Sequence, residues 1–297
     1  MESSLSPALA QYQAQIGEIR RTRYMDYPMM VHIETFAKCN AACSFCPYPT
    51  IERQGERMPD SLFEKIVRDL CDIPREVRFL ISPLKVNEPF LDSAIFDRMA
   101  HINEKLPNAK LTLTTNASPL TRSNIDRLAG VRNLRDVWIS LNDHREAEYE
   151  ATMKIPYKRT MENLHRLHDM VSKGESNVRV VLSRVGDGSP ADAAFVAYAQ
   201  TTFPRFKTFV GVRGSWIGRV ETSAPIPNVG CARWFEMSIM ANGIVAHCCM
   251  DGNGDFPIGD VKTQHVLEIY NQPHYRSLRE STVSRLDAKP CDQCSFL

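Results

Sequence analysis

The sequence predicts an α/β protein, a parallel sheet flanked by crossover helices and followed by a smaller cysteine-rich unit. Three observations carry that prediction. From Met29 to Val212, β-rich runs alternate with helical patterns. A proline-rich, nearly uncharged stretch at 222–230 then interrupts the alternation, as a linker or domain edge does. Beyond it lie five of the nine cysteines.

Taken in order, residues 7–21 have helical character and enough charge to lie on a surface, which predicts a helix packed outside the main sheet. Strands are expected at 31–35, 77–82, 110–115, 136–141, 178–183 and 208–212, where β-branched and aromatic residues concentrate. Helical periodicity fills the intervals at 60–71, 92–105, 121–128, 158–172 and 190–201. Strand and helix alternating in this way argue for a parallel sheet, whose reactive centre lies at the carboxyl ends of the strands. Cys71 continues the Leu62, Ile66, Leu70 pattern and reads as a buried core cysteine. The expected divisions are an N-terminal helical extension at 1–28, the α/β unit at 29–222 and the small unit at 223–297.

Composition narrows the function. A chain of 297 residues, 43% apolar and with a net charge of +1, can bury a full core but carries no strong field. Nucleic acid is therefore not an expected partner, and without an apolar run of eighteen residues neither is a membrane. The start, Met1-Glu2-Ser3-Ser4-Leu5-Ser6-Pro7, lacks the basic and apolar regions of a signal peptide, so the expected location is cytoplasmic. In a reducing compartment nine cysteines read as metal ligands or reactive thiols rather than disulfides.

The most informative stretch is Cys39-Asn40-Ala41-Ala42-Cys43-Ser44-Phe45-Cys46, directly after the first expected strand. Three thiolates at CxxxCxxC spacing can ligate three irons of a cubane cluster and leave the fourth without a protein ligand. A zinc knuckle usually wants paired CxxC half-sites and a fourth ligand, which neither His32 nor another nearby residue supplies. The spacing, with Phe45 before the last cysteine, resembles the radical S-adenosylmethionine (SAM) superfamily. That resemblance implies a [4Fe-4S] cluster whose open iron takes the amino and carboxylate groups of SAM. It also sharpens the fold class to a partial (β/α)6 barrel with a small C-terminal auxiliary-cluster, or twitch, domain.

Further elements resemble the same superfamily. Asn87-Glu88-Pro89 looks like its Gly-Glu-Pro element, with Asn87 in place of glycine and Glu88 kept as acceptor for the SAM ammonium. Thr114-Thr115-Asn116 and Ser140-Leu141-Asn142-Asp143 resemble strand ends around the SAM pocket. Phe45, Glu88, Asn116, Ser140 and Ser183 are expected at SAM, and Arg184 is the candidate partner for its carboxylate.

Cys231, Gly243, Cys248 and the pair Cys291-Asp292-Gln293-Cys294 form a C…GxxxxC…CxxC pattern. Four thiolates suit zinc as well as a cluster. The pattern resembles the twitch domain, which implies a second, fully ligated [4Fe-4S] cluster. Such a cluster moves an electron or holds the fold rather than binding substrate. Residues 235–240 and 244–249 read as a hairpin around Ala241-Asn242-Gly243. Cys249 then follows Cys248 in the returning strand, and the two face opposite sides; alternation alone leaves open which of them is the ligand and which faces the active site. A thiol there is a good hydrogen-atom donor to a carbon radical.

Over its whole length the chain resembles radical SAM epimerases of aminoglycoside biosynthesis. This implies hydrogen abstraction from a sugar carbon by a 5'-deoxyadenosyl radical, hydrogen return from Cys249, and SAM consumed as cosubstrate. It also implies an external one-electron reductant of flavodoxin or ferredoxin type. An aminoglycoside substrate needs carboxylates and a stacking surface, and Glu34, Asn142, Asp143, Trp216 and Asp251 are the candidates. A dehydrogenase of an aminocyclitol or sugar alcohol would share both clusters without needing a donor thiol. A peptide-modifying enzyme usually carries a leader-recognition domain, for which the stretch before Met29 reads as too short. A zinc-stabilised binding module would not cleave SAM.

Overall fold

The structure is a computed structural model and describes residues 6–296; Met1 to Leu5 of the expected N-terminal extension, and Leu297, lie outside the described residues. Among the described residues nine strands form one sheet, and six of them follow the chain in order. These are β1 (Met30–Ile33), β2 (Phe79–Ser82), β3 (Ala109–Thr115), β4 (Leu134–Ser140), β5 (Val180–Gly186) and β6 (Lys207–Val212), neighbouring and all parallel. Each predicted strand is present with its ends displaced by a few residues.

Parallel neighbours need crossover segments, and helices supply them. α2 (Asp60–Leu70), α3 (Ile95–Lys105), α4 (Arg122–Ala129), α6 (Tyr157–Ser172) and α7 (Pro190–Thr202) match the predicted helices. On α2, Leu62, Phe63, Ile66, Val67 and Leu70 recur every three or four residues and share the core with Val31 and Ile33 of β1. Cys71 departs from its expected place. The helix ends at Leu70, which takes the last inward position, and Cys71 follows as an exposed C-cap whose thiol donates to the Val67 carbonyl at 3.4 Å.

The sheet does not stop near residue 222. β7 (Glu236–Ile239) pairs parallel with the free edge of β1, matching Met30 with Glu236 and Ile33 with Ile239. β8 (Ile244–Ala246) and β9 (Pro257–Asp260) then add antiparallel strands. The predicted hairpin is thus present, but β8 ends at Ala246, before the cysteine pair. The reason is Asp251, whose carboxylate accepts the His247 N–H at 3.4 Å and replaces a ladder partner. The pleat therefore does not separate the two thiols; a turn closed by the Asp251 N–H to the Cys248 carbonyl, 3.2 Å, does.

α1 (Pro7–Ile19) leans on the segment leading into this C-terminal region. Ile16 is buried, Gln13 accepts the Gly230 N–H at 2.8 Å, and the Tyr12 hydroxyl accepts that of Ala232 at 3.1 Å. Three helices were not foreseen from the sequence. α5 (Glu146–Met153) buries only Tyr149 and Met153. α8 (Val266–Asn271) and α9 (Pro273–Glu280) are separated by Gln272 alone, and each is too short for a clear helical period. No helix among the described residues is long and apolar enough to cross a membrane.

The hairpin turn depends on Gly243. Its φ is +88°, its N–H donates to the Met240 carbonyl at 2.9 Å, and an added Cβ would meet Lys262 Cγ at 3.1 Å and Leu62 Cδ2 at 3.2 Å. Gly243→Ala is therefore expected to cost at least ~1–2 kcal/mol. A thermal melt should show a midpoint lower by several degrees, and an unchanged midpoint would mean that the turn relaxes freely.

Candidate active site

The cysteine-rich loop begins where β1 ends, at the carboxyl edge of the sheet. Main-chain bonds hold it along its length. Ala37 N–H donates to the Glu56 carbonyl at 2.8 Å and Met58 N–H to that of Thr35 at 2.9 Å. At the centre, Ala42 and Ser44 donate to the carbonyls of Met153 (3.2 Å) and Thr152 (3.0 Å) at the end of α5. From α3, the buried Arg98 guanidinium reaches the carbonyls of Thr35 and Met58 and the carboxylates of Asp60 and Asp92.

So held, Cys39, Cys43 and Cys46 line one cavity of about 150 Å³. Burial and then mutual repulsion raise the Cys43 thiol; burial pushes Cys39 up to about 12 and Cys46 up to about 11. Three adjacent thiols that resist ionisation fit a bound cation that replaces their protons. Three protein ligands and an open cavity fit a cluster with one free iron better than closed four-ligand zinc.

Phe45, Glu88, Asn116, Ser140 and Trp216 line the same cavity. Glu88 is buried at the head of a short 3-10 turn, Pro89–Leu91. Its carboxylate accepts from Thr115 Oγ1 (2.8 Å), Asn116 N–H (2.8 Å) and Phe90 N–H (3.2 Å), while burial pushes its pKa up to about 7. Asn87, in the place of the usual glycine, accepts the Lys85 N–H at 2.8 Å and closes the bend that leads into that turn. Asn116 donates to Asn40 Oδ1 at 2.9 Å, which ties β3 to the cysteine loop.

Trp216 is wedged between the two sites. Its Nε1 donates to the Phe45 carbonyl at 3.0 Å, and its side chain packs against the small apolar cluster that contains Ile217, Cys248, Met250 and Cys294. Trp216 and Ile217 both adopt left-handed backbone, φ +48° and +53°. Ser215 anchors this unfavourable turn, donating to the Gln293 carbonyl (2.8 Å) and accepting the Ser295 N–H (3.1 Å).

Other candidates lie elsewhere. Ser183 donates to the Ile139 carbonyl at 3.2 Å. Arg184 does not line the cavity; its guanidinium binds Asp192 at 2.7 Å, Asp143 at 3.0 Å and the Asn142 carbonyl. Asn142 accepts the Val185 N–H at 2.8 Å. Burial opposes ionisation of Asp143, but Arg145 and Arg184 outweigh it and hold the carboxyl at about 2. Glu34 is fully buried; its Oε2 accepts from Arg53 and from the Ala241 N–H, and among the described residues its Oε1 has no hydrogen-bond partner. Asp251 is spent on its own loop, accepting from the backbone of His247, Gly254, Asp255 and Phe256.

Cys231, Cys248, Cys291 and Cys294 are buried together around a second cavity. Burial and then the neighbouring cysteines push Cys248 well above the usual thiol range. Four converging thiols with no open side fit a fully ligated ion or cluster. Trp234 Nε1 lies 3.3 Å and His247 Nε2 3.2 Å from the Cys291 sulfur. Burial lowers His247 to about 4, so the ring is neutral at pH 7.

Cys249 turns away from that cavity. Its sulfur lies with the ligand atoms of His32 and Glu236, all within 4.8 Å of one another. His32 alternates with Val31 and Ile33, so this group occupies the face of the sheet opposite the helix-packed core. Glu236 bonds His32 at 3.1 Å and Arg233 at 2.7 and 2.9 Å. Burial pushes Cys249 up to about 11 despite Arg233, leaving a thiol rather than a thiolate at neutral pH.

Sequence reasoning missed Lys85, Met153, His32, Arg233 and Arg285. Lys85 lines the first cavity while its buried ammonium donates to Ser238 Oγ (3.0 Å) and to the Cys248 carbonyl (3.1 Å), linking the two sites. A lysine two residues before Asn87-Glu88 was the available signal.

Comparison with known proteins adds to this geometry. Residues 33–193 match the family model of the radical SAM superfamily, and residues 231–295 match that of SPASM, an iron-sulfur cluster-binding domain. No curated protein sequence matches the chain significantly. Among solved structures, BtrN in complex with AdoMet and 2-DOIA superposes with a TM-score of 0.64 at 16% identity, over 90% of this chain and 92% of that one. Streptococcus suis SuiB bound to precursor peptide SuiA gives 0.68 at 16% identity, over 99% and 76%. Native anSMEcpe with bound AdoMet gives 0.56 at 11%, over 82% and 80%. At these identities the likeness shows the fold. The two domain matches imply a SAM cosubstrate and two iron-sulfur clusters.

Iron content separates the two sites. The reconstituted wild type should hold about eight irons per chain, and Cys39→Ala or Cys291→Ala about four. Only Cys39→Ala should abolish SAM cleavage outright. A Cys291→Ala protein that retained full iron would place the second metal site elsewhere.

Proposed function

The chain belongs to the radical SAM superfamily, and from that membership we propose that it is an epimerase that inverts C5''' of neomycin C to give neomycin B. The observation that carries this reading is the turn at Cys248 and Cys249. One thiol joins three others at the second cavity, while its neighbour stays protonated on the opposite side, beside His32 and Glu236.

We assign Cys39, Cys43 and Cys46 to the first cluster and Cys231, Cys248, Cys291 and Cys294 to the second. Glu88 is the acceptor for the SAM ammonium, with Phe45, Asn116 and Ser140 completing that wall. When bound, the first cluster and SAM supply a carbon radical able to take a hydrogen atom from the sugar. Cys249 then gives its hydrogen to the planar sugar carbon from the other face. The S–H bond breaks, a C–H bond forms, and configuration inverts without net oxidation of the sugar. The thiyl radical left on Cys249 returns to thiol with one proton and one electron, the electron coming from a flavodoxin- or ferredoxin-type donor. Trp216, at the wall of the first cavity, offers an aromatic face to an aminosugar ring.

The test is anaerobic turnover of SAM and neomycin C in D2O by wild type and Cys249→Ala. The wild type is expected to give neomycin B with one deuterium. The variant is expected to cleave SAM without forming the epimer. A product two mass units lighter would replace this reading with a dehydrogenase acting on an aminocyclitol or sugar alcohol.

A further inference from the structure

The second cavity is surrounded by more positive charge and more N–H donors than its packing requires. Arg285 lines it and is fully buried. Its guanidinium donates to the carbonyls of Val229 (3.3 Å), Gly230 (2.9 Å), Cys294 (3.4 Å) and Phe296. No carboxylate among the described residues forms an ion pair with it. A guanidinium buried against carbonyls alone is strongly disfavoured unless an anion lies alongside, and four cysteine sulfurs lining the same cavity provide one once they hold metal. Two further donors, Trp234 Nε1 at 3.3 Å and His247 Nε2 at 3.2 Å, converge on the single sulfur of Cys291. A cysteinate has no proton to give, so in the loaded site both nitrogens carry the hydrogen of the bond.

We propose that Arg285, Trp234 and His247 set the reduction potential of the auxiliary cluster, holding it above the value that four thiolates alone would give. Reduction adds one electron to a group that is already negative. A nearby guanidinium and N–H···S bonds stabilise the reduced form more than the oxidised one, which raises the potential. These residues touch the sulfur ligands or line their cavity and need not touch substrate, so they are positioning and tuning residues. The inference rests on the four-cysteine assignment and is independent of the epimerase reading.

The measurement is an EPR-monitored redox titration of the full chain, carrying Cys39→Ala, Cys43→Ala and Cys46→Ala so that only the auxiliary cluster contributes. His247→Phe and Trp234→Phe remove one donor each; His247→Gln keeps an N–H. At the parent midpoint each phenylalanine variant should show its reduced-to-oxidised ratio lowered about tenfold, which is ~59 mV for a one-electron couple. His247→Gln should recover most of that loss, which a purely structural role would not predict. Arg285→Met should shift the same way. Unchanged midpoints at full iron content overturn the proposal, and so does a site that takes up zinc and shows no redox transition. If His247→Phe takes up no iron, the titration of Trp234→Phe decides, and an unshifted midpoint there overturns the proposal.

Discussion

Three thiols around one small cavity cannot ionise together without a cation between them, and the α/β unit is arranged around that constraint. The loop that presents them is held by main-chain hydrogen bonds along its length. Bonds at 35–58 close its base, the carbonyl end of α5 accepts its central N–H groups, and Arg98 ties its two ends to α3. These anchors are main-chain groups or buried side chains, and they fix the backbone that carries the three sulfurs.

The pairing of β7 with β1 has the widest structural consequence. A strand from the C-terminal region uses the edge that would otherwise end the sheet, so both cysteine groups meet at one end of a continuous surface. Lys85 and Trp216 occupy the contact between them. Among the described residues no carboxylate bonds the buried lysine, burial lowers its pKa, and its hydrogen bonds to Ser238 and the Cys248 carbonyl fix the turn of the second site against the wall of the first. The left-handed backbone at Trp216 and Ile217 is the strained counterpart, kept in place by the reciprocal hydrogen bonds between Ser215 and Ser295.

Much of this was legible in the sequence because cysteine spacing and strand periodicity are local signals. The six parallel strands, their helices and both cysteine groups follow from patterns within a few residues. What was not legible depends on partners distant in the chain. Arg184, at the end of an expected strand, looked available to a carboxylate ligand, but Asp143 and Asp192 claim it. Cys71 sat on an apolar helical face, but the helix ended one residue earlier. Arg285 and His247 gave no signal, because their meaning comes from sulfur atoms contributed by other segments.

The adjacent cysteines bring these threads together. Two neighbouring thiols can serve different chemistry only if their environments cannot be exchanged. A strand would separate them by its pleat, yet a slip of one residue would swap their faces. Here β8 stops at Ala246 and Asp251 accepts four backbone N–H groups, pinning the turn that contains both cysteines. Asp251, which the sequence offered as a substrate contact, thereby acts as the lock on their register. Cys248 is left among thiols, where a metal can replace its proton. Cys249 is left beside a histidine and a carboxylate already engaged by Arg233, where burial keeps its hydrogen in place. In the proposed assignment, the difference between a ligand and a hydrogen donor comes from a single loop carboxylate rather than from the sulfur atoms themselves.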